Sequence, residues 1–260
     1  MNRLLVAAIA CAVAARLNAG LTYRTETITA GVRPHTFNGV VKIEAGQSRF
    51  EVIKSDEKMF EAGSIVLSSA KEDVITVLNP ARKTYYVIDL AKVASSLAET
   101  QKQLAPWMTI PKPETTVRNE GSGGIVEGYA TQRWVIDAVI NMKMHAPADN
   151  SEKRFATTSE IWTTDKLPAV ASSVIQGSSL PGDPILDAIR ESHAKLKGFP
   201  LKSVTVTTMS IGGSTTTSTS RTNVTGIRRA SFPPSAFTIP AGYRKVDNPI
   251  DAMLAGIGAR

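Results

Sequence analysis

The chain has 260 residues, 42% of them hydrophobic and 20% charged, with one cysteine and a formal net charge of +7 at pH 7. So apolar a composition excludes a disordered polyelectrolyte, and one cysteine excludes a disulfide scaffold. Only 6% of the residues are aromatic and no recognition-helix pattern accompanies the positive charge, so nucleic acid is not an expected partner.

Met1-Asn2-Arg3 is a short positive start, Leu4 to Ala15 is an apolar run, and Leu17-Asn18-Ala19 ends on the small residue that signal peptidase requires before Gly20. Residues 1–19 therefore read as a cleaved secretory leader, and the expected location is the periplasm or another exported site. The run falls short of the roughly 20 apolar residues of a membrane-spanning helix, so a transmembrane protein is not expected. Cys11 lies inside the leader. Lipid anchoring there would leave an apolar stretch of only about eight residues, at the low end for a leader core, so it is not expected.

From Gly20 onward the pattern is mostly period two, the mark of half-buried antiparallel strands. Leu21 to Thr29 opens the series. Phe37 to Ala45 and Arg49 to Lys54 alternate apolar and polar residues about Gly46 and predict a hairpin. Ser64 to Ser68 is a further strand. Val74 to Leu78 and Thr84 to Ile88 flank Asn79-Pro80, a turn signal, and predict another hairpin. Leu90 to Leu104 carries Leu90, Val93, Leu97 and Leu104 on one stripe and predicts a helix stopped by Pro106. Strands follow at Thr115 to Asn119, Ile125 to Tyr129, Arg133 to Met144 and Arg154 to Thr163, with Gly121-Ser122-Gly123-Gly124 read as a flexible hairpin turn. Asp183 as N-cap, Pro184 at the first position and Ile185, Ile189 and Leu196 on one edge predict a second helix closed by Gly198, with Phe199 folding back on its last turn. Pro200 to Ile211 and Thr215 to Arg228 form a long hairpin about Gly212-Gly213, its Thr-rich arm read as strand rather than linker. Residues 247–260 are a tail, with a short helix from Asn248-Pro249.

The expected fold is mainly β, a curved antiparallel half-barrel covered by amphipathic helices, because so large a sheet with two helices must curl to bury its apolar face. Such a barrel either packs its interior or keeps a cavity for an apolar ligand. A hollow barrel would be walled by Phe37, Val41, Phe50, Val52, Val77, Tyr86, Trp134, Ile136 and Trp162.

No catalytic constellation is visible. His35, His145 and His193 share no metal-ligand spacing, there is no GxSxG elbow, and no Gly-Lys-Ser/Thr follows the glycines at 121–124. A non-enzymatic protein without cofactor or metal is expected. Charge is uneven: residues 190–260 hold ten Lys and Arg against three Asp and Glu, leaving a balance of −2 for residues 20–189. Arg221, Arg228, Arg229, Arg244 and Lys245 on the final hairpin and its exit predict one positive patch for an anionic envelope surface.

Four stretches carry a resemblance. Val77-Leu78-Asn79-Pro80-Ala81-Arg82-Lys83-Thr84-Tyr85, Gly128-Tyr129-Ala130-Thr131 with Arg133-Trp134-Val135, Glu160-Ile161-Trp162-Thr163 with Leu167-Pro168, and Gly198 to Lys202 with Phe237 to Tyr243 resemble, in order, motifs of an uncharacterised family of bacterial envelope proteins with a LolA/LolB-like, lipoprotein-carrier-like fold. The resemblance spans Phe37 to Val246. It implies an incomplete barrel whose relatives receive acyl chains, and it carries over no catalytic residue. About thirty residues near 169–198 are an insertion relative to that pattern. The expected organisation is a leader over 1–19, one β domain over 20–246 with the helical insertion, and the tail. The expected function is an exported binder of a lipid or other amphipathic envelope molecule; the alternative is a structural or interaction protein with a packed barrel and a basic docking surface.

Overall fold

The computed structural model of the protein describes residues 20–32, 34–56, 60–69, 73–145, 151–168, 188 and 191–249. The strands are β1 (Gly20–Ala30), β2 (His35–Glu44), β3 (Gln47–Ser55), β4 (Ile65–Ser69), β5 (Val74–Asn79), β6 (Thr84–Asp89), β7 (Met108–Thr109), β8 (Glu114–Val126), β9 (Tyr129–Met144), β10 (Glu152–Thr164), β11 (Phe199–Ile211), β12 (Ser214–Ala230) and β13 (Arg244–Lys245), with helix α1 (Leu90–Leu104) between β6 and β7. They join one open, curved, 13-stranded sheet in the order β13-β6-β5-β4-β3-β2-β1-β12-β11-β10-β9-β7, with β8 on the same edge of β9 as β7. Among the described residues no helix is long and apolar enough to cross a membrane.

The hairpins predicted about Gly46, Asn79-Pro80 and Gly212-Gly213 form. Turn residues of the first and last stand in the left-handed region: Ala45 and Gly46 at φ 50° and 78°, Gly212 and Gly213 at 54° and 84°. That backbone matches the twist of paired strands and favours glycine at the second position. Between β5 and β6, the Asn79 side-chain oxygen accepts from the Arg82 amide at 3.0 Å. The Thr-rich arm is strand β12, held by β1 on one side and β11 on the other.

One turn lies elsewhere than expected. Residues 121–124 are inside β8, where the register against β9 shifts at Asn119/Ser122 and Ser122/Gly124, and the chain reverses instead at Glu127-Gly128, φ 51° and 79°. Glycines here allow the strand to bulge without ending it. A Cβ on Gly123 would fall 2.6 Å from the Trp162 ring, so the bulge lets backbone lie against an indole.

Helix α1 starts where expected, the Asp89 carboxylate accepting from the Lys92 amide at 3.0 Å. Val93 and Ala94 are buried, but Leu104, at the last position of the expected stripe, is 40% exposed. Of the second expected helix, Asp183, Pro184, Ile185 and Ile189 lie outside the described residues; residues 188 and 191–194 are helical, and Ser192 donates to the Ala188 carbonyl at 2.7 Å. Phe199, expected against the last turn of that helix, begins β11 and meets Tyr23 edge-on at 5.3 Å. The expected tail helix is described only to Pro249, its remaining residues lying outside.

Candidate functional site

Strand register sorts the side chains into two faces. On the concave face Leu21, Tyr23, Val41, Ile43, Phe50, Val52, Val66, Ile75, Val77, Ile88, Phe199, Leu201 and Val224 form one buried cluster with Val93 and Ala94 of α1 and with Leu167. Trp134, Ile136 and Ile161 form a second cluster, joined by Val117 and Leu196. The Trp134 indole donates to the Thr163 hydroxyl at 3.1 Å.

The expected cavity wall is partly gathered here. Val41, Phe50, Val52 and Val77 are each 1–3% exposed and packed against one another, with Phe37 and Tyr86 half-buried beside them; Phe37 and Phe50 rings lie 5.1 Å apart. Trp134 and Ile136 belong to the second cluster. Trp162 departs from the set. It pairs with Arg133 while Ile161 pairs with Trp134, and side chains alternate along a strand, so Trp162 is on the opposite face with the Lys202 ammonium 4.5 Å from its ring centroid.

The five cations expected to form one patch are dispersed. Arg221 and Arg228 lie on the outer face of β12, Arg229 shares the side of Leu21 at the far end, and Arg244 and Lys245 pair with Thr84 and Tyr85 at the other end of the strand order. The physical reason is the path after β12. Residues 231–243 cross the outer face as a strap: the Phe232 amide donates to Glu44 at 2.8 Å, Arg49 donates to the Ala236 carbonyl at 3.1 Å, and Arg244 N–H reaches the Lys83 carbonyl at 2.9 Å. The outer face carries most charge, in pairs such as Arg118–Asp137 at 2.7 Å, Arg133–Glu160 at 2.9 Å and Lys42–Glu51 at 2.7 Å. A hydrogen bond from Thr158, then that from Arg118, holds the Asp137 carboxyl below its ordinary range.

Below the core clusters the concave face changes character. Three rows run across it in register, two from β9 to β2 and one from β9 to β12: Trp134, Ile161, Ser203, Thr222, Thr27, Phe37; then Ile136, Ser159, Thr205, Ser220, Thr29, His35; then Ala138, Thr157, Thr207, Ser218. None contains Asp, Glu, Lys or Arg. The hydroxyls meet across strands, Thr27–Thr222 at 2.9 Å, Ser159–Thr205 at 3.0 Å and Thr29–Ser220 at 3.1 Å, and all remain half-exposed.

Beyond them the face turns apolar again. Ile140, Phe155 and Met209 stand in register, then Met142, Lys153 and Ile211, and Met144 pairs with Met108 of β7. These apolar side chains are half-exposed or exposed, and none belongs to either cluster among the described residues. Four of the seven methionines of the chain stand in this apron. The alternation of Ile140, Met142 and Met144 was open to a sequence reader, but nothing in it says that these residues stay outside both clusters of the described residues. In the helical turn at 191–194 burial lowers the pKa of His193, whose Nδ1 is buried with no hydrogen-bond partner among the described residues.

Among curated proteins no sequence matches. Solved structures similar to the chain include an uncharacterised conserved protein from Thermus thermophilus, 10% identical over 93% of this chain and 98% of that one, TM-score 0.41. Another is a LolA superfamily protein from Nitrosomonas europaea, 9% identical over 85% and 90%, TM-score 0.32. A third is the MucA/MucB complex of Pseudomonas aeruginosa, 9% identical over 82% and 94%, TM-score 0.21. A family model described as "Domain of unknown function (DUF4412)" matches residues 38–243, nearly the stretch over which the hairpin motifs carry their resemblance. Since that match takes in most of its 260 residues, the chain belongs to the DUF4412 family.

Proposed function

We propose that the protein is an exported, non-enzymatic binder of a lipid or similar amphipathic envelope molecule, held on the concave face of β9 to β12. The observation that carries this reading is the apron of Ile140, Met142, Met144, Phe155 and Met209, apolar and half-exposed beside rows without a charged side chain. Methionine is flexible and polarisable, so a surface built from it moulds to apolar ligands of varied shape. Exposed apolar area gathered in one place is the usual mark of a binding surface. The leader pattern of residues 1–19 supplies the export part of the reading.

The close packing of Val41, Phe50, Val52 and Val77 favours a second reading, a packed interaction protein of the envelope. One experiment separates the two. Native mass spectrometry of protein purified from the envelope is expected to reveal bound lipid, and a fluorescent fatty acid is expected to bind at least about tenfold more weakly to Met142→Asp combined with Met209→Asp, since each substitution sets a charge against the alkyl chain. Absence of lipid, with equal weak binding by both proteins, would establish the packed reading instead.

A further inference from the structure

We infer that the hydroxyl rows between the core and the Met-rich apron select the head group of the bound amphiphile, and that this head group is neutral and polyhydroxylated, as in a glycoside. The inference rests on the lipid-binding reading and names which amphiphile fits it.

Each Ser or Thr hydroxyl carries one proton and two lone pairs. A cross-strand pair such as Ser159–Thr205 or Thr27–Thr222 uses one proton and one lone pair, so it keeps a donor and up to three acceptor sites. A sugar hydroxyl donates and accepts in the same way and can complete such pairs in either sense. A phosphate or carboxylate only accepts and brings charge. No Lys or Arg stands in the three rows to meet that charge; Lys153 is two rows further along this face, beyond Phe155, Lys202 points to the other face over Trp162, and Arg221 lies on that face too. Desolvating an anionic head group here would leave it unpaired, which is costly.

Dimensions agree. The hydroxyl positions of the three rows on β10, β11, β12 and β1 cover roughly 13 by 14 Å, room for a disaccharide. The next row is Ile140, Phe155 and Met209, so a chain leaving the head group passes directly onto apolar surface.

Dodecyl maltoside, dodecylphosphocholine and laurate share an alkyl chain length and differ in head group. Titrated below their micelle concentrations into the full mature protein, the maltoside is expected to bind at least about tenfold more tightly than the other two, from several added hydrogen bonds. Free maltose, which lacks the chain, is expected to bind far more weakly. In Ser159→Ala/Thr205→Val/Thr222→Val the shape and strand preference are kept and hydroxyls are removed. That variant is expected to keep the chain affinity while the preference falls to within about threefold. Thr205→Val alone serves if the triple variant unfolds, with a smaller loss of preference. Equal binding of the three amphiphiles, tighter binding of a charged one, or an unchanged preference in a folded variant would overturn the head-group inference and leave lipid binding standing. Maltose binding as tightly as dodecyl maltoside would replace the amphiphile by a free saccharide. No amphiphile binding at all would remove the lipid reading itself.

Discussion

Glu51 stands on the outer face between two cations, Lys42 at 2.7 Å and Arg49 at 2.8 Å. Burial raises its pKa, but the hydrogen bonds and charges of Lys42 and Arg49 outweigh that and hold the carboxyl below its ordinary value. The unfolded chain therefore binds this proton more readily than the native one. The contribution is complete above the ordinary glutamate range, and it is lost as pH falls through the depressed native value. Glu51→Gln is expected to cost under about 1 kcal/mol at neutral pH, as half-exposed pairs do, and to flatten the acid limb of stability. Urea midpoints measured from neutral pH down to about 3, where ordinary carboxylates protonate, check both effects. An acid limb identical in the two proteins would mean that the pair is fully screened.

At the scale of elements, the turn between β2 and β3 places a non-glycine residue, Ala45, at φ 50°. A left-handed conformation costs an ordinary L-residue about 1–2 kcal/mol, and asparagine tolerates it better through local hydrogen bonding. Ala45→Asn is expected to stabilise the protein by about 0.5–1 kcal/mol, read as a higher midpoint in urea unfolding. The hairpins were legible because alternation and turn glycines act within about twenty residues of sequence. Leu90–Leu104 was legible because the Val93 stripe and Pro106 act within a few turns; the Asp89 cap is a further local signal, seen only in the structure. The segment 121–124 was misread for the complementary reason. Whether glycines end a strand or bulge it is decided by the neighbouring strand, here by Trp162 lying against Gly123, and that neighbour is remote in sequence. The site was legible only in part. Val41, Phe50 and Val77 announce an inner face, yet which apolar residues stay open depends on where α1 and residues 191–196 come to rest.

Across the whole molecule, the strap joins regions that the strand order keeps apart. Phe237 is 8% exposed and meets Phe232 edge-on at 6.0 Å, and this small apolar anchor precedes the pairing of β13 with β6. On the same side of the sheet Leu67 is 6% and Leu78 0% exposed. Phe237→Ala is expected to cost about 3 kcal/mol, the low end for a buried phenylalanine. It is also expected to speed hydrogen exchange at the amides of Arg244 and Val246, which donate to Lys83 and Tyr85, far from the substitution along the strand order. Unchanged exchange there would mean that β13 is held by its own pairing and that the strap is not a unit. The strap also explains why a basic C-terminal third did not become a basic patch: charge count is a property of the sequence, but its distribution follows the route of the chain.

The strand that begins the described chain lies between β2 and β12, with Gly20 opposite Ala230. Until the last long strand has been made, β1 has an unpaired edge and Tyr23, Thr25 and Leu201 lack Val224 as a neighbour. The sheet therefore closes only when residues about 200 apart in the chain have met. Such remote pairing makes folding slow and keeps it from finishing while the chain is still being synthesised. Lateness of this kind fits the proposed export, in which a chain passes through a narrow translocation channel before it acquires a shape. During that interval the open backbone edge of β1 is its most aggregation-prone feature, and chaperones that hold extended segments have an obvious place to act.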